Sequence, residues 1–459
     1  MVRERGAFGQ GFFLAWAINM ALTSREAREN RRIQIELRRM LFDLPVWLRR
    51  PLKRGSSPLA HVPAYESWYL ALASSSDYSA FWKNPACSIE EHMDTYPGVP
   101  TFLISSWYGI DAWGNFQKFR RMSERAEGRI RLLCGPWVHD IGFGEISTAG
   151  EVDFGRSAAL SINDEQLKWF DYWLKDLDSG VATEPPIRMF VMGSARGGGL
   201  TPDLGRLSHG GSWASASDWP PPDSQDLILY LQSDNSLRPS LPAPESPPTV
   251  YSFDPNAPVP TVGSAMPPVP GNWSAGGSRI LDGGPYDQRG RTELAFCHDS
   301  LPLDSRSDLI AFRSEALAEA VEVTGDVEIL LWVMTDCRDT DFTARLIDEY
   351  PPSDDYPNGF AMNLLDCIVR LRYRERNESA ELAEPDQVYS IALEPKSISN
   401  IFAPGHRIRL DVSSSNFPQF DVNPNSGCPL GAPSDVIQAR NTIFHDASRP
   451  SYIKLPTQT

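Results

Sequence analysis

The chain has 459 residues, 41% of them hydrophobic and 22% charged, the make-up of a globular protein of two or three domains. Its formal charge of −16 argues against nucleic acid as a partner, because phosphate binding needs clustered Lys and Arg and the basic runs, such as Arg49 to Arg54, are short. The six cysteines, Cys87, Cys134, Cys297, Cys337, Cys367 and Cys428, form no C-x-x-C pair and read as buried free thiols, which suits a reducing, cytoplasmic compartment.

Arg3 and Arg5 precede GAFGQGFFLAWAINMAL, a stretch that resembles a secretory signal. Gln10 and Asn19 interrupt it, and Phe12, Trp16 and Met20 fall on one stripe, so an internal helix is expected and a membrane span is not. Residues 51–95 carry aromatics such as Trp68, Tyr69, Phe81 and Trp82 in helical or irregular structure. The pattern changes at Tyr96. GVPTFLISSW (98–107) is a continuous apolar run, as for a strand buried on both faces. A helix follows from about Trp113 to Glu127, then the strand RIRLLCG (129–135), which Gly135-Pro136 breaks, with His139 just past its exit. A helix over 162–178 shows Leu167, Phe170, Leu174 and Leu177 at helical spacing, with Gly180 placed to end it. IRMFVMG (187–193) is the next strand, and the alternation implies a parallel α/β layer.

Residues 200–225, rich in Gly, Ser, Asp and Pro, read as a linker. Beyond it, LILYLQS (227–233), VEILLWVM (327–334), VYSIAL (388–393) and HRIRLDVSS (406–414) are strand-like, with turn signals at Asn358-Gly359 and Thr324-Gly325-Asp326. Many short strands of this kind imply an all-β sandwich. Asn272-Trp273-Ser274 and Asn377-Glu378-Ser379 fit the glycosylation triplet, a pattern that chance supplies in a chain of this length.

Ligands of open α/β sheets gather at the carboxyl ends of the strands. His139 stands at one such end and Asp111 just beyond the end of the preceding strand. An acid after one strand and a histidine after the next is the Asp–His half of a hydrolase triad: the carboxylate fixes the imidazole tautomer and the imidazole takes a serine proton. The structural alternative is that Asp111 caps the following helix and His139 bonds a loop carbonyl.

The strings CGPWVHD, EQLKWFDYWLKDLDSGV, PIRMFVMG, YSFDPNAPVPTVG, GPYDQR, DTDFTARLIDEYP, RLRYRE and SNIFAPGHRIRLDVSSSNFPQFDVNPNSG together resemble the cocaine-esterase/X-Pro dipeptidyl-peptidase (CocE/NonD) family of serine hydrolases, collinearly from about residue 97 to 455. The resemblance implies a partial α/β-hydrolase domain with a helical cap, then a jelly-roll β-sandwich: cap over 1–95, the last part of the hydrolase domain over 96–200, and the jelly roll over 212–459. It makes His139 the triad histidine. The family's Gly-Trp-Tyr-Asp is here Ser106-Trp107-Tyr108-Gly109, so Gly109 stands at the usual acid position and Asp111 is the local substitute.

The nucleophile is not identified. Its serine is expected before the cap, on a Gly-x-Ser-x-Gly elbow, and no such string occurs; GGSWA (210–214) follows His139 with no strand leading into it, and Ser105 and Ser106 read as structural. Trp107 and Tyr108 are candidates for lining an acyl pocket. Asp336, Asp339 and Asp341 lack EF-hand spacing and read as a solvated turn rather than a metal site, and no Gly-rich loop precedes a helix, so neither metal nor nucleotide cofactor is expected. Two functions follow. One is a serine hydrolase acting on small esters or X-Pro peptides through an acyl-enzyme, completed by an upstream nucleophile segment. The other is an inactive fragment or pseudoenzyme whose jelly roll binds a ligand. A parallel sheet without its early strands exposes an apolar edge, so a homo-oligomer or a partner covering that edge is expected.

Overall fold

The structure is a computed structural model that describes all residues except 1, 50, 87, 127, 140–143, 195–197, 202–203, 264, 266–282, 376–377, 430–434 and 459. Cys87, Asn272 and Asn377 lie outside the described residues.

Helices α1 (Gln10–Leu22), α2 (Arg31–Phe42) and α3 (Pro63–Ser74) build an N-terminal layer around Phe8, Phe13, Leu14, Ile18, Leu37 and Tyr69. The buried stripe of α1 runs through Leu14, Ala17, Ile18 and Ala21, which leaves Trp16, expected on the buried side, 39% exposed. Gly11 lets α1 lie directly on the sandwich: its amide donates to the Pro418 carbonyl at 2.9 Å, and a Cβ there would collide with that carbonyl.

Strand β1 (Thr101–Tyr108), helix α4 (Ala112–Ser123), strand β2 (Ile130–Val138), helix α5 (Ile162–Lys175) and strand β3 (Ile187–Met192) form the expected parallel layer, in the order β1–β2–β3. The break expected at Gly135-Pro136 does not occur. The strand runs on to Val138 because the register slips between Ser106 and Tyr108, and such an irregularity accommodates a proline that has no amide to donate. The expected linker also holds a strand, β4 (Gly211–Ala216), antiparallel to β3 from Gly211↔Met192 to Ala216↔Ile187. Residues 211–216 thus pair with the α/β strand β3.

The longer sandwich strands include β5 (Gln225–Leu231), β6 (Leu309–Arg313), β7 (Val321–Thr335), β8 (Asp341–Tyr350), β9 (Phe360–Arg370), β10 (Lys396–Phe402), β11 (Arg407–Ser413), β12 (Ala439–Asp446) and β13 (Tyr452–Gln458). One sheet runs β5–β13–β7–β10 and continues through β3 into β2 and β1, joined at the parallel pair Asn400↔Met192. The second sheet is the antiparallel set β6–β11–β8–β9. Leu331, Val333, Phe342, Leu346, Leu410, Val412 and Ile453 fill the core.

Polar residues of the second sheet are buried as well. Arg409 meets Asp411 at 2.7 Å, and Arg345 meets Asp366 at 2.6 Å. Of the three acids read as a solvated turn, Asp336 is exposed, but Asp339 and Asp341 are buried and paired with Arg372 and Arg370. Burying a carboxylate is tolerated only with such a partner.

Helix α5 departs most from its expected role. Trp169 is its buried residue, stacked 5.5 Å from Phe102 of β1, while Leu167, Phe170, Leu174 and Leu177 are 51–75% exposed. Asp176, left-handed at φ 55°, stops the helix before Leu177, so Gly180 does not end it. Among the described residues nothing pairs with the outer edge of β1, the last strand of its sheet. No helix among the described residues is long and apolar enough to cross a membrane.

Candidate active site

The sequence SSWYGIDA leaves β1 after Tyr108, turns at Gly109 and Ile110, and enters α4 at Ala112. Strand β2 ends one residue before His139. Tyr108 stands opposite Val138 in the register, so Gly109 and His139 leave the two strands side by side. His139 is exposed.

Asp111 occupies the N-cap position of α4, yet its side chain makes no capping hydrogen bond, which removes the helix-cap alternative. Its Oδ2 accepts from Asn115 Nδ2 at 2.6 Å, and its Oδ1 is buried with no hydrogen-bond partner. Burial, above all, raises the Asp111 pKa from the ordinary value; its own backbone amide and the charges of His139 and Lys118 work in the opposite direction. The histidine and the acid are therefore within electrostatic reach of each other without a direct hydrogen bond. Sequence reasoning missed Asn115, although an amide four residues after an acid at a helix start is a readable spacing.

Trp107 and Tyr108, expected at a substrate pocket, are core residues. Trp107 donates to the Phe190 carbonyl at 2.7 Å and stacks on Phe116, and Tyr108 donates its hydroxyl to the Asn363 carbonyl at 3.1 Å. The end of β1 is covered on both faces, so these consecutive residues are both buried and neither is accessible to a ligand. Ser105 and Ser106 are fully buried, as their structural reading requires, and Ser212 pairs with Val191 inside β4 rather than on an elbow. No serine among these has the exposed strand-to-helix turn a nucleophile needs. Among the described residues no cluster of His, Cys, Asp and Glu is arranged to hold a metal ion.

A cavity of about 470 Å³ lies elsewhere, on the second sheet of the sandwich, lined by Asp304, Arg313, Glu349, Tyr350, Arg407 and Arg409 among others. Its charged groups already neutralise one another: Arg313 and Arg409 both meet Glu349 and Asp304.

Comparison with known proteins adds to this geometry. The family model of the X-Pro dipeptidyl-peptidase C-terminal non-catalytic domain matches residues 179–454, and that of the X-Pro dipeptidyl-peptidase (S15 family) matches residues 1–140. A cocaine esterase from Rhodococcus sp. (strain MB1 Bresler) is 32% identical over 372 residues, 78% of this chain and 56% of the relative. A putative serine esterase from Mycobacterium bovis is 24% identical over 72% of this chain and 47% of its own length. The chain thus spans about half the length of these relatives. Among solved structures, an aminopeptidase from a marine sediment Thaumarchaeota archaeon superposes with a TM-score of 0.75 at 24% identity, over 99% of this chain and 69% of that one. An α-amino acid ester hydrolase gives a TM-score of 0.67 at 23% identity, over 87% and 62%. The fold, an α/β-hydrolase layer with a β-sandwich, is shared with them.

Proposed function

The chain belongs to the CocE/NonD family of hydrolases, and from that premise we propose that it carries the histidine–acid half of a serine-hydrolase site acting on carboxylic esters or X-Pro peptide bonds. His139 is the base that takes the serine proton and then returns it to the leaving group. Asp111 is the acid behind it, in place of the residue that Gly109 lacks. The serine comes with a further polypeptide segment, and the free edge of β1 and the exposed face of α5 are the surfaces it covers. The observation that carries the reading is an exposed histidine beside a half-buried, non-capping aspartate at the adjacent carboxyl ends of β2 and β1. A cytoplasmic location belongs to the same proposal and is supported by the free state of Cys134, Cys297, Cys337, Cys367 and Cys428.

The test is co-expression of the chain with the part of the Rhodococcus relative that it does not match, followed by ester and X-Pro anilide hydrolysis. The expected result is hydrolysis by the pair that His139→Ala abolishes. Hydrolysis indifferent to His139 contradicts the assignment. A folded pair with no hydrolysis at all favours the second reading, a catalytically silent chain whose sandwich binds a ligand, for which the 470 Å³ cavity is the available site.

A further inference from the structure

We propose that Asn115 is the positioning residue that holds the Asp111 carboxylate inward, and that position 109 is glycine because that carboxylate and the Ser106 hydroxyl together occupy its side-chain space. The inference rests on the reading of Asp111 as the acid partner of His139.

An aspartate at an N-cap ordinarily accepts hydrogen bonds from the amides of the first helical turn. Asp111 forgoes them. Its carboxylate turns toward β1, where Asn115 Nδ2 donates to Oδ2 at 2.6 Å. The same Nδ2 reaches the Ile104 carbonyl of β1 at 3.3 Å, so one buried amide ties the acid to the strand. The other oxygen, Oδ1, is buried and accepts nothing. It lies 2.7 Å from the point that a Cβ on Gly109 would take, and the Ser106 hydroxyl is closer still. The backbone of Gly109 is outside the left-handed region, so its conformation does not demand glycine. The space does.

Both features cost stability locally: a cap is given up, and a charged oxygen is left buried without a donor. Local rules broken together at one place mark a functional site more often than a structural one. The charged and titratable neighbours felt at this carboxylate are His139 and Lys118, with the buried Cys134 thiol beside it.

The test is a carbon-13 NMR titration of the Asp111 carboxyl in the whole chain, with melting curves to show that each variant folds. With Asn115→Ala the freed carboxylate swings onto the amides of the first turn of α4, and its midpoint falls by roughly one pH unit. In the parent chain His139→Ala raises that midpoint; in the Asn115→Ala background it no longer does. Gly109→Ala, which pushes the carboxylate out with Asn115 intact, gives the same fall and serves if Asn115→Ala does not fold. A midpoint that rises or stays put in both variants overturns the proposal, because the carboxylate then remains inward without the latch. The measurement needs neither turnover nor a nucleophile. A response to Asn115→Ala without one to His139→Ala sinks only the Asp–His pairing; the reverse sinks only the latch.

Discussion

The Oδ1 atom of Asp111 sits 2.7 Å from where a Cβ on Gly109 would stand. A residue two positions along the loop thereby brings its carboxylate to the space that a side chain at 109 would fill. The acid at 111 thus stands beside the position, 109, where the family pattern expects one, at the carboxyl end of β1. This supports reading Asp111 as a displaced acid rather than as a helix cap.

Asp111→Asn is expected to stabilise the chain at neutral pH. Burial raises the carboxyl's pKa in the folded state, so the native form binds the proton more readily than the unfolded form. The associated stability is full below the ordinary carboxylate pKa of about 3.9 and declines as pH rises through the folded value. At neutral pH the buried charge costs stability that asparagine removes. Thermal melts should show a gain of roughly 1–3 °C near neutrality that disappears toward about pH 4. A lower melting temperature at neutral pH would mean that the ionised carboxylate stabilises the native state.

Arg370→Met is expected to cost about 3–5 kcal/mol, because it strands the buried Asp341 carboxylate and the half-buried Asp421 carboxylate. The guanidinium is 0% exposed and bonds both oxygens of Asp341 at 2.9 Å and Asp421 Oδ1 at 3.0 Å. Burial is strong enough to push Asp341 up to about 6 even beside this arginine. Asp421 also accepts the Phe8 amide at 2.7 Å, so the pair ties the N-terminal layer to the sandwich. Limited proteolysis should therefore cut Arg370→Met first within residues 1–95. Unchanged proteolysis together with an unchanged melt would contradict the clamp.

The exposed side of α5 predicts self-association of the isolated chain. Leu167, Phe170 and Leu174 stand at i, i+3 and i+7 and are 51–75% exposed, on the helix that covers Phe102 of β1. Sedimentation should give more than monomer mass, and Leu167→Lys with Leu174→Lys should return the chain to monomer without lowering its melting temperature. A monomeric parent chain would show that this face needs no cover.

Much of this architecture was legible beforehand. The apolar runs at 98–107 and 129–135 announced parallel strands buried on both faces, and the short alternating strands announced the sandwich. Three things were not. Helical periodicity finds an apolar face on α5 but does not say which side meets the core; the single Trp169 does so, and the stripe points outward. Alternation in β11 sets Arg407, Arg409 and Asp411 opposite the apolar residues, yet Arg409 and Asp411 are buried as a pair, as are Arg345 and Asp366. Pro136 reads as a breaker, but a register slip carries the strand past it to Val138. At the site, the positions of His139 and Asp111 followed from strand ends. The choice between cap and inward acid did not, because it depends on a side-chain rotamer that spacing does not reveal.

The central claim is that this chain holds a base and its acid but no serine for them to activate. Fluorophosphonate labelling of the purified, folded 459-residue chain, with peptide mapping and His139→Ala as control, tests it most directly. The account predicts no specific labelling of any serine, in keeping with the burial of Ser105 and Ser106 and the place of Ser212 in β4. Labelling of one serine that vanishes in His139→Ala would show a complete triad within this chain and contradict the account.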